Sequence, residues 1–143
     1  MAGVELKIKR LYEDSMVPLY AHPGDAGLDV FSHETVTLAP GERGVIGLGF
    51  SAEFPEGFVA LVWDRSSTAI KTGIRSLAGV IDSGYRGEWR IAILNVSDTP
   101  IQINRGDKIA QVLIQPVERV SVVVSDELEA SERGEQWCGS TDT

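Results

Sequence analysis

The chain has 143 residues, of which 43% are hydrophobic and 24% are charged, and this fits one globular domain. Its formal net charge of −8 argues against nonspecific nucleic-acid binding, which needs a basic surface. No apolar run approaches the roughly 20 residues of a membrane helix, so we expect no membrane span. Cys138 is the only cysteine, which excludes an intrachain disulfide and favours a cytoplasmic setting. One cysteine and two histidines, His22 and His33, supply too few ligands for a conventional four-ligand zinc site.

The hydrophobic pattern predicts extended strands along most of the chain. Turn residues rich in Gly, Pro, Asn and Asp separate the apolar runs. Many short strands at near-regular spacing are typical of an all-β sandwich, jelly roll or barrel. The predicted strands are residues 6–10, 34–38, 44–54, 58–63, 89–96, 101–103, 108–114 and 120–124.

One short helix and a polar tail interrupt this β pattern. Residues 66–72 predict a helix of about two turns, capped by serines and ended by Gly73. From residue 125 onward the composition changes to Ser, Asp, Glu, Gly and Thr, with few apolar side chains. We therefore expect a β domain over residues 1–124 and a flexible C-terminal arm over residues 125–143.

The segment 79–88 combines a strand end with a carboxylate and a phenol. Two β-branched residues lead into the turn Asp82-Ser83-Gly84, and an extended pattern resumes at Trp89. A hairpin of this kind would hold the Asp82 carboxylate rigidly at the mouth of a cleft, beside the ring of Tyr85. The alternative is that Asp82 only begins a turn and Tyr85 only covers a strand edge.

Four other segments carry side chains suited to an anionic ligand. The run Asp64-Arg65-Ser66-Ser67 lies at a strand-to-helix junction, where a guanidinium and hydroxyls suit a phosphate or carboxylate. Asp29, in a predicted buried strand, needs an ionic or hydrogen-bonded partner. Gln111 follows the turn at Gly106, and residues 133–141 contain an Arg, an aromatic and a Gly-Ser-Thr run that could close over phosphates. Taken singly, these segments also fit a helix cap, a turn and a disordered tail.

Taken in order, these segments resemble the five motifs of the homotrimeric deoxyuridine triphosphate nucleotidohydrolases, the dUTPase family. The resemblance covers residues 26–141, and the third and fourth motifs are the specific ones. The matching runs are Ala26-Gly27-Leu28-Asp29, Arg65-Ser66-Ser67, Gly79-Val80-Ile81-Asp82 with Tyr85-Arg86-Gly87-Glu88, Gly106-Asp107-Lys108-Ile109-Ala110-Gln111, and Arg133-Gly134 with Gly139-Ser140-Thr141.

This resemblance implies a jelly-roll-like β fold, a homotrimer with active sites at subunit interfaces, and hydrolysis of dUTP to dUMP and pyrophosphate. It implies that Asp82 is the general base on a water that attacks the α-phosphorus, and that Tyr85 packs under the deoxyribose. Mg²⁺ would be held mainly by substrate phosphates and water, and Asp29 and Asp107 would support the site. The other implied substrate-binding residues are Arg65, Ser66, Ser67, Ser76, Gly79, Val80, Ile81, Arg90, Gln111, Arg133, Trp137, Gly139, Ser140 and Thr141.

Two departures from the family pattern leave alternative functions open. The second motif usually reads Arg-Ser-Gly, and the spelling Arg65-Ser66-Ser67 also occurs in the related deoxycytidine triphosphate deaminases. The fifth motif usually has Phe or His immediately before Gly-Ser, where this chain has Cys138. Trp137 is then the candidate for the aromatic part of a lid. Deamination of dCTP and non-catalytic nucleotide binding by a trimer are the two alternatives.

Overall fold

The computed structural model describes residues 3–139 and residue 141, and its regular structure is almost entirely β. The one helix in this part of the chain is α1 (Ser66–Thr72), and no helix in it is long and apolar enough to cross a membrane. The strands are β1 (Lys7–Arg10), β2 (Leu28–Phe31), β3 (Val36–Leu38), β4 (Arg43–Glu53), β5 (Phe58–Trp63), β6 (Ile74–Leu77), β7 (Val80–Ile81), β8 (Glu88–Asn95), β9 (Ile101–Ile103) and β10 (Lys108–Pro116).

The described strands form two four-stranded antiparallel sheets and a two-stranded ribbon. The first sheet has the order β1-β4-β8-β6, the second has the order β2-β10-β5-β7, and β3 pairs with β9 in the ribbon. The sheets stay open rather than closing into a barrel, so the predicted all-β, jelly-roll-like fold is confirmed as a sandwich.

Both sheets and the ribbon contribute to one hydrophobic core. Strand β8 shows the underlying alternation, since Trp89, Ile91 and Ile93 are buried and the residues between them are not. The Trp89 ring packs against Phe50 and Phe54, with ring centroids 5.4 and 6.4 Å away. The segments that connect the two sheets therefore begin and end at strands that pack into this core.

Helix α1 has the predicted bounds, but serines do not cap it. Arg65 is the N-cap, with an extended backbone at φ −89 and ψ 130, and no side chain caps the helix. Ser66 and Ser67 therefore belong to the first turn. Gly73 ends the helix as predicted, because its left-handed φ of 79 suits glycine and its N–H donates to the Ala69 carbonyl.

The predicted hairpin over residues 79–93 is wrong in its pairing. Strand β7 pairs with β5 in one sheet, whereas β8 pairs with β4 and β6 in the other. The chain changes sheets at Ala78 and Gly79, where φ is 61 and 144. The Gly79 carbonyl accepts the Val62 N–H at 2.8 Å, which docks the short strand on β5. The loop from Asp82 to Gly87 consequently connects two sheets instead of two paired strands.

The strand predicted at residues 120–124 is also wrong for the single chain. Beyond β10 the described residues form no helix or strand. Val120, Val122, Val123 and Val124 are between 78% and 95% exposed. A strand needs a partner for its backbone groups, and none of the described strands pairs with this segment.

Candidate active site

A cavity of about 350 Å³, which we call the Arg65 pocket, brings together residues from three separate motifs. The pairing of strands in the second sheet explains why these motifs meet. In the second sheet β10 lies between β2 and β5, and Gln111 is opposite Asp29 on one side and Trp63 on the other. The walls of the pocket include Asp29, Arg65, Ser66, Ser67, Lys108 and Gln111.

Asp29 orients two cations at the wall of the Arg65 pocket. It is 6% exposed, and its Oδ1 accepts a hydrogen bond from Arg65 Nε at 2.9 Å. Lys108 Nζ lies 3.2 Å from the second carboxylate oxygen. A buried carboxylate needs an ionic partner, and Asp29 has two, Arg65 and Lys108. Two positively charged groups with fixed positions suit a pocket that binds an anion.

Gln111 is held in the pocket by the strand-to-helix junction. Its Nε2 donates to the Asp64 carbonyl at 2.8 Å, and the Asp64 carboxylate in turn accepts the Ser76 N–H at 2.6 Å. Gly27 leaves the space that the amide occupies, because a Cβ there would lie 2.3 Å from Gln111 Oε1. The turn before β10 is fixed by Asp107, whose carboxylate accepts the Asn104 N–H at 2.8 Å.

A second cavity, of about 230 Å³, lies between β7 and β8, and we call it the Asp82 cavity. The carboxylate of Asp82 is exposed there and has no hydrogen bond or ion pair within the described residues. A carboxylate with uncommitted oxygens beside a cavity is available to accept a proton from a ligand or from water. The walls of the cavity are formed by Val80, Ile81, Asp82, Tyr85, Glu88, Trp89 and Arg90.

The Tyr85 ring is fixed by the turn that follows Asp82. The Tyr85 N–H donates to the Asp82 carbonyl at 3.1 Å, and the Tyr85 hydroxyl donates to the Glu88 carbonyl at 2.9 Å. The ring lies directly over Gly87, where a Cβ would come 2.4 Å from the hydroxyl oxygen. This turn presents the carboxylate and the aromatic ring to the same cavity.

Ser76 and Gly79 lie apart from both of these cavities. They line a groove of about 530 Å³ that also includes Trp63, which is 57% exposed, and Val80. Val80 lies on both the groove and the Asp82 cavity. Residues from the third motif thus face two different parts of the surface.

Among the described residues, those of the fifth motif do not line these cavities. The Arg133 guanidinium donates to the carbonyls of Gln136 and Trp137 at 2.9 and 2.8 Å, and the Trp137 side chain is 86% exposed. Gly139 and Thr141 are near the end of the described chain, and Ser140 lies outside the described residues.

Three contributors to the site escaped the sequence-based prediction of ligands. Lys108 belongs to the fourth motif, but its ion pair with Asp29 depends on the pairing of β10 with β2, which local sequence does not indicate. Asp64 connects Ser76 to Gln111 through its carboxylate and carbonyl. Glu88 carries the bond to Tyr85, and nothing in local spacing indicates that contact.

A β sandwich in which one cavity contains Arg65 and Lys108 and another contains an exposed carboxylate suits a ligand that has both an anionic and an uncharged part. A family model described as dUTPase matches residues 13–142. The deoxyuridine 5'-triphosphate nucleotidohydrolase of Thermobifida fusca is 45% identical over 141 residues, covering 96% of this chain and 79% of that protein. The protein of the same name from Clostridium kluyveri is 42% identical over 142 residues, covering 98% and 99%. The chain belongs to the dUTPase family.

Solved structures agree with this assignment. The dUTPase of Staphylococcus bacteriophage 80alpha with dUpNHpp has a TM-score of 0.90 and 33% sequence identity, covering 96% of this chain and 98% of that one. A mutant dUTPase from phage phi11 of S. aureus has a TM-score of 0.82 and 32% identity, covering 88% and 99%. That phi11 structure is described as revealing the coordination of a structural Mg(II) ion.

Proposed function

We propose that the protein hydrolyses dUTP to dUMP and pyrophosphate. The observation that carries this proposal is the uncommitted Asp82 carboxylate, exposed on a cavity wall beside Tyr85. Membership of the dUTPase family, and relatives that are named deoxyuridine 5'-triphosphate nucleotidohydrolase, support the choice of substrate.

Asp82 acts as the general base in this proposal. One carboxylate oxygen accepts a proton from a water whose oxygen attacks the α-phosphorus. The bond between that phosphorus and the bridging oxygen of the leaving pyrophosphate then breaks, which gives dUMP. The carboxylate also accepts a hydrogen bond from the deoxyribose 3'-hydroxyl. The lack of an internal partner for Asp82 among the described residues supports both roles, because neither must displace an existing contact.

The nucleoside binds in the Asp82 cavity. The Tyr85 ring packs under the sugar and leaves no room for a 2'-hydroxyl, which rejects ribonucleotides. Strand β7 lies at the edge of its sheet, so one side of its backbone has no partner strand and can read the uracil edge. A tight fit at this edge excludes a 5-methyl group. The residues assigned to this half of the substrate in the Asp82 cavity are Val80, Ile81, Asp82, Tyr85 and Arg90. Ser76 and Gly79 are assigned to the substrate from the adjoining groove, which shares Val80 with that cavity.

The triphosphate binds in the Arg65 pocket. Phosphate oxygens accept hydrogen bonds there from Arg65, Ser66, Ser67 and Gln111. The positive charge of Arg65 favours phosphate binding, and its hydrogen bond to Asp29 fixes the position of the guanidinium. The arm of another subunit closes over the site. Phosphoryl transfer depends chiefly on positioning and charge neutralisation, so these donors supply much of the rate. The arm residues assigned to closure are Arg133, Trp137, Gly139, Ser140 and Thr141.

Mg²⁺ is the cofactor in this proposal and is held mainly by phosphate oxygens and water. Within the described residues, no group of three or more His, Cys, Asp or Glu side chains could hold a metal ion. The buried carboxylate of the Arg65 pocket, Asp29, is already engaged by two cations. This donor set fits a metal that arrives with the triphosphate. When bound, Mg²⁺ neutralises phosphate charge, which matters for a chain of net charge −8.

The proposal includes a homotrimer with shared sites, and the separation of the two cavities supports it. The residues that line the Arg65 pocket and the Asp82 cavity do not overlap. One substrate can contact both sets if the cavities of neighbouring subunits face each other. The exposed segment 120–124 supports association through strand pairing, because β-branched residues favour strands and no strand in the described part of the chain pairs with these valines.

The proposal assigns residues 1–124 to the β domain and residues 125–143 to a flexible arm that carries the fifth motif. The lack of regular structure in the described part of that arm is consistent with ordering by a ligand or a neighbouring subunit. A cytoplasmic location fits a chain whose single cysteine, Cys138, excludes an internal disulfide.

Release of pyrophosphate, compared with release of ammonia, tests this proposal. The protein is incubated with Mg²⁺ and with dUTP, dCTP, dTTP or UTP, and phosphate is measured after coupling to a pyrophosphatase. We expect dUTP to be preferred over dCTP by as much as about 10⁴-fold in kcat/KM, because a hydrogen-bonded site rejects a mismatched base edge. We expect dTTP and UTP to be rejected by steric exclusion of the 5-methyl group and of the 2'-hydroxyl. Ammonia from dCTP would instead establish the deaminase alternative. Nucleotide binding with no product of either kind would establish the non-catalytic one.

A further inference from the structure

A bulge in β4 forms a seat for the carboxylate of Glu88. Gly47 of β4 pairs with Arg90 of β8, and Ser51 of β4 pairs with Glu88 of β8. The register between the two strands shifts between these pairs. Gly49, inside the shift, has φ 79, and its N–H donates to Glu88 Oε2 at 3.0 Å. The carboxylate therefore replaces a backbone partner from β8. Gly47 leaves the necessary space, because a Cβ there would lie 2.6 Å from the same oxygen.

The second oxygen of this carboxylate holds Arg90. Glu88 Oε1 lies 3.2 Å from Arg90 Nη2, and the Glu88 side chain is much less exposed than the Arg90 side chain. The two residues are alternate positions of one strand, so their side chains leave the same face of the sheet. Arg90 lines the Asp82 cavity. An anchored carboxylate thus positions a more exposed guanidinium at the cavity that holds the candidate general base.

Glu88 is also connected to the aromatic ring of this cavity. Its carbonyl accepts the Tyr85 hydroxyl at 2.9 Å. The β4 bulge, the guanidinium of Arg90 and the ring of Tyr85 are consequently joined through one residue. A ligand that depends on Arg90 or Tyr85 will depend on where this residue lies.

We infer that Glu88 is a positioning residue that holds the guanidinium of Arg90 at the Asp82 cavity, where it donates to an acceptor oxygen of the nucleotide. A guanidinium has only donors, so its ligand must supply an oxygen or nitrogen acceptor. Glu88 acts through Arg90, which is distinct from the proton transfer assigned to Asp82. This inference rests on the proposed hydrolysis of dUTP.

Steady-state kinetics of Glu88→Gln, Arg90→Gln and the double variant test the coupling. Gln at position 88 keeps an acceptor for the Gly49 N–H and removes the charge that holds Arg90. We expect Arg90→Gln to raise KM for dUTP about tenfold, as expected for one charged hydrogen bond partly open to water. Glu88→Gln should raise KM about threefold to tenfold with kcat within about twofold. The double variant should match Arg90→Gln within about twofold, since one variant acts through the other.

Glu34→Gln is the matched control. Its Oε2 also accepts an N–H of β4, from Gly47 at 2.8 Å, but Glu34 does not line the Asp82 cavity. It should leave KM unchanged. Gly47→Ala is a second probe, because it displaces the Glu88 carboxylate without removing its charge, and it should raise KM as Glu88→Gln does.

Three outcomes overturn the inference: an unchanged KM in Glu88→Gln and Gly47→Ala, effects that multiply in the double variant, or an equal effect in Glu34→Gln. Failure of the proposed function looks different, because the unmodified protein then releases no pyrophosphate from dUTP. In that case titration with dUMP still reports the coupling between Glu88 and Arg90, with the same expected pattern in Kd.

Discussion

Gly27→Ala should remove Gln111 from the Arg65 pocket without touching any charge. A Cβ at position 27 would lie 2.3 Å from Gln111 Oε1 and 3.0 Å from its Cδ. Gly27 does not have a positive φ, so the backbone itself accepts alanine. The two nearest clashing atoms belong to the far end of a flexible side chain, which must therefore rotate away. Gln111 Cβ would lie 3.1 Å away and must also shift slightly.

Rotation of Gln111 breaks the hydrogen bond from its Nε2 to the Asp64 carbonyl at 2.8 Å. The net loss for one half-buried hydrogen bond is about 1 kcal/mol. For a domain of this size, this lowers Tm by about 3 °C. The kinetic effect should be larger than the effect on stability, because the phosphate oxygens lose a donor. We expect KM for dUTP to rise about fivefold to tenfold with a smaller change in kcat.

Thermal unfolding and initial rates of pyrophosphate release measure the two effects. Gln111→Ala is the control, because it removes the two atoms nearest to the new methyl group. The double variant Gly27→Ala with Gln111→Ala should behave like Gln111→Ala alone. A loss above about 3 kcal/mol in Gly27→Ala would indicate general overpacking. That result, or multiplying effects in the double variant, would refute the role of Gln111.

Three further predictions concern the base, the assembly and the arm. Asp82→Asn should lower kcat by about 10²-fold or more, while calorimetry shows analogue binding within about tenfold; retention of more than about a tenth of kcat contradicts the assignment. Mixing that variant with chains truncated after Ser131 should restore activity, because mixed trimers contain intact composite sites. Shared sites are contradicted if heterotrimers are shown to form but stay inactive, or if light scattering shows a monomer. Trp137→Ala should lower kcat/KM by about fivefold to a hundredfold, from the 1–3 kcal/mol of base stacking, while Cys138→Ser has little effect. Full kcat/KM in the tryptophan variant excludes it as the lid aromatic.

Local patterns predicted the elements whose defining contacts are close in sequence. Helix α1 begins and ends as predicted, because its hydrogen bonds span four residues and Gly73 supplies the left-handed C-cap. The alternation in β8 was visible because Trp89, Ile91 and Ile93 all turn to the core. The need of Asp29 for an ionic partner was also predictable, since burial of a carboxylate demands one.

Contacts that depend on sheet order were not predictable in this way. Strand β6 was not predicted, because its sequence Ile74-Arg75-Ser76-Leu77 does not alternate between apolar and polar residues. Strand β7 supplies two residues whose pattern fits pairing with either sheet. The neighbourhood of Arg65, Asp29 and Gln111 exists because β10 lies between β2 and β5. Only the family resemblance, and not spacing, could bring those three residues together in advance.

The exposed valines at 120–124 affect the solubility of chains that have not yet assembled. A short run of β-branched residues without charge or proline is the kind of segment that stacks into intermolecular β-sheet. Any assembly that pairs this segment therefore also hides an aggregation-prone sequence. Slow assembly after synthesis should therefore favour insoluble material over a stable monomer. A charged residue in place of Val123 should keep isolated chains in solution and, at the same time, weaken their association.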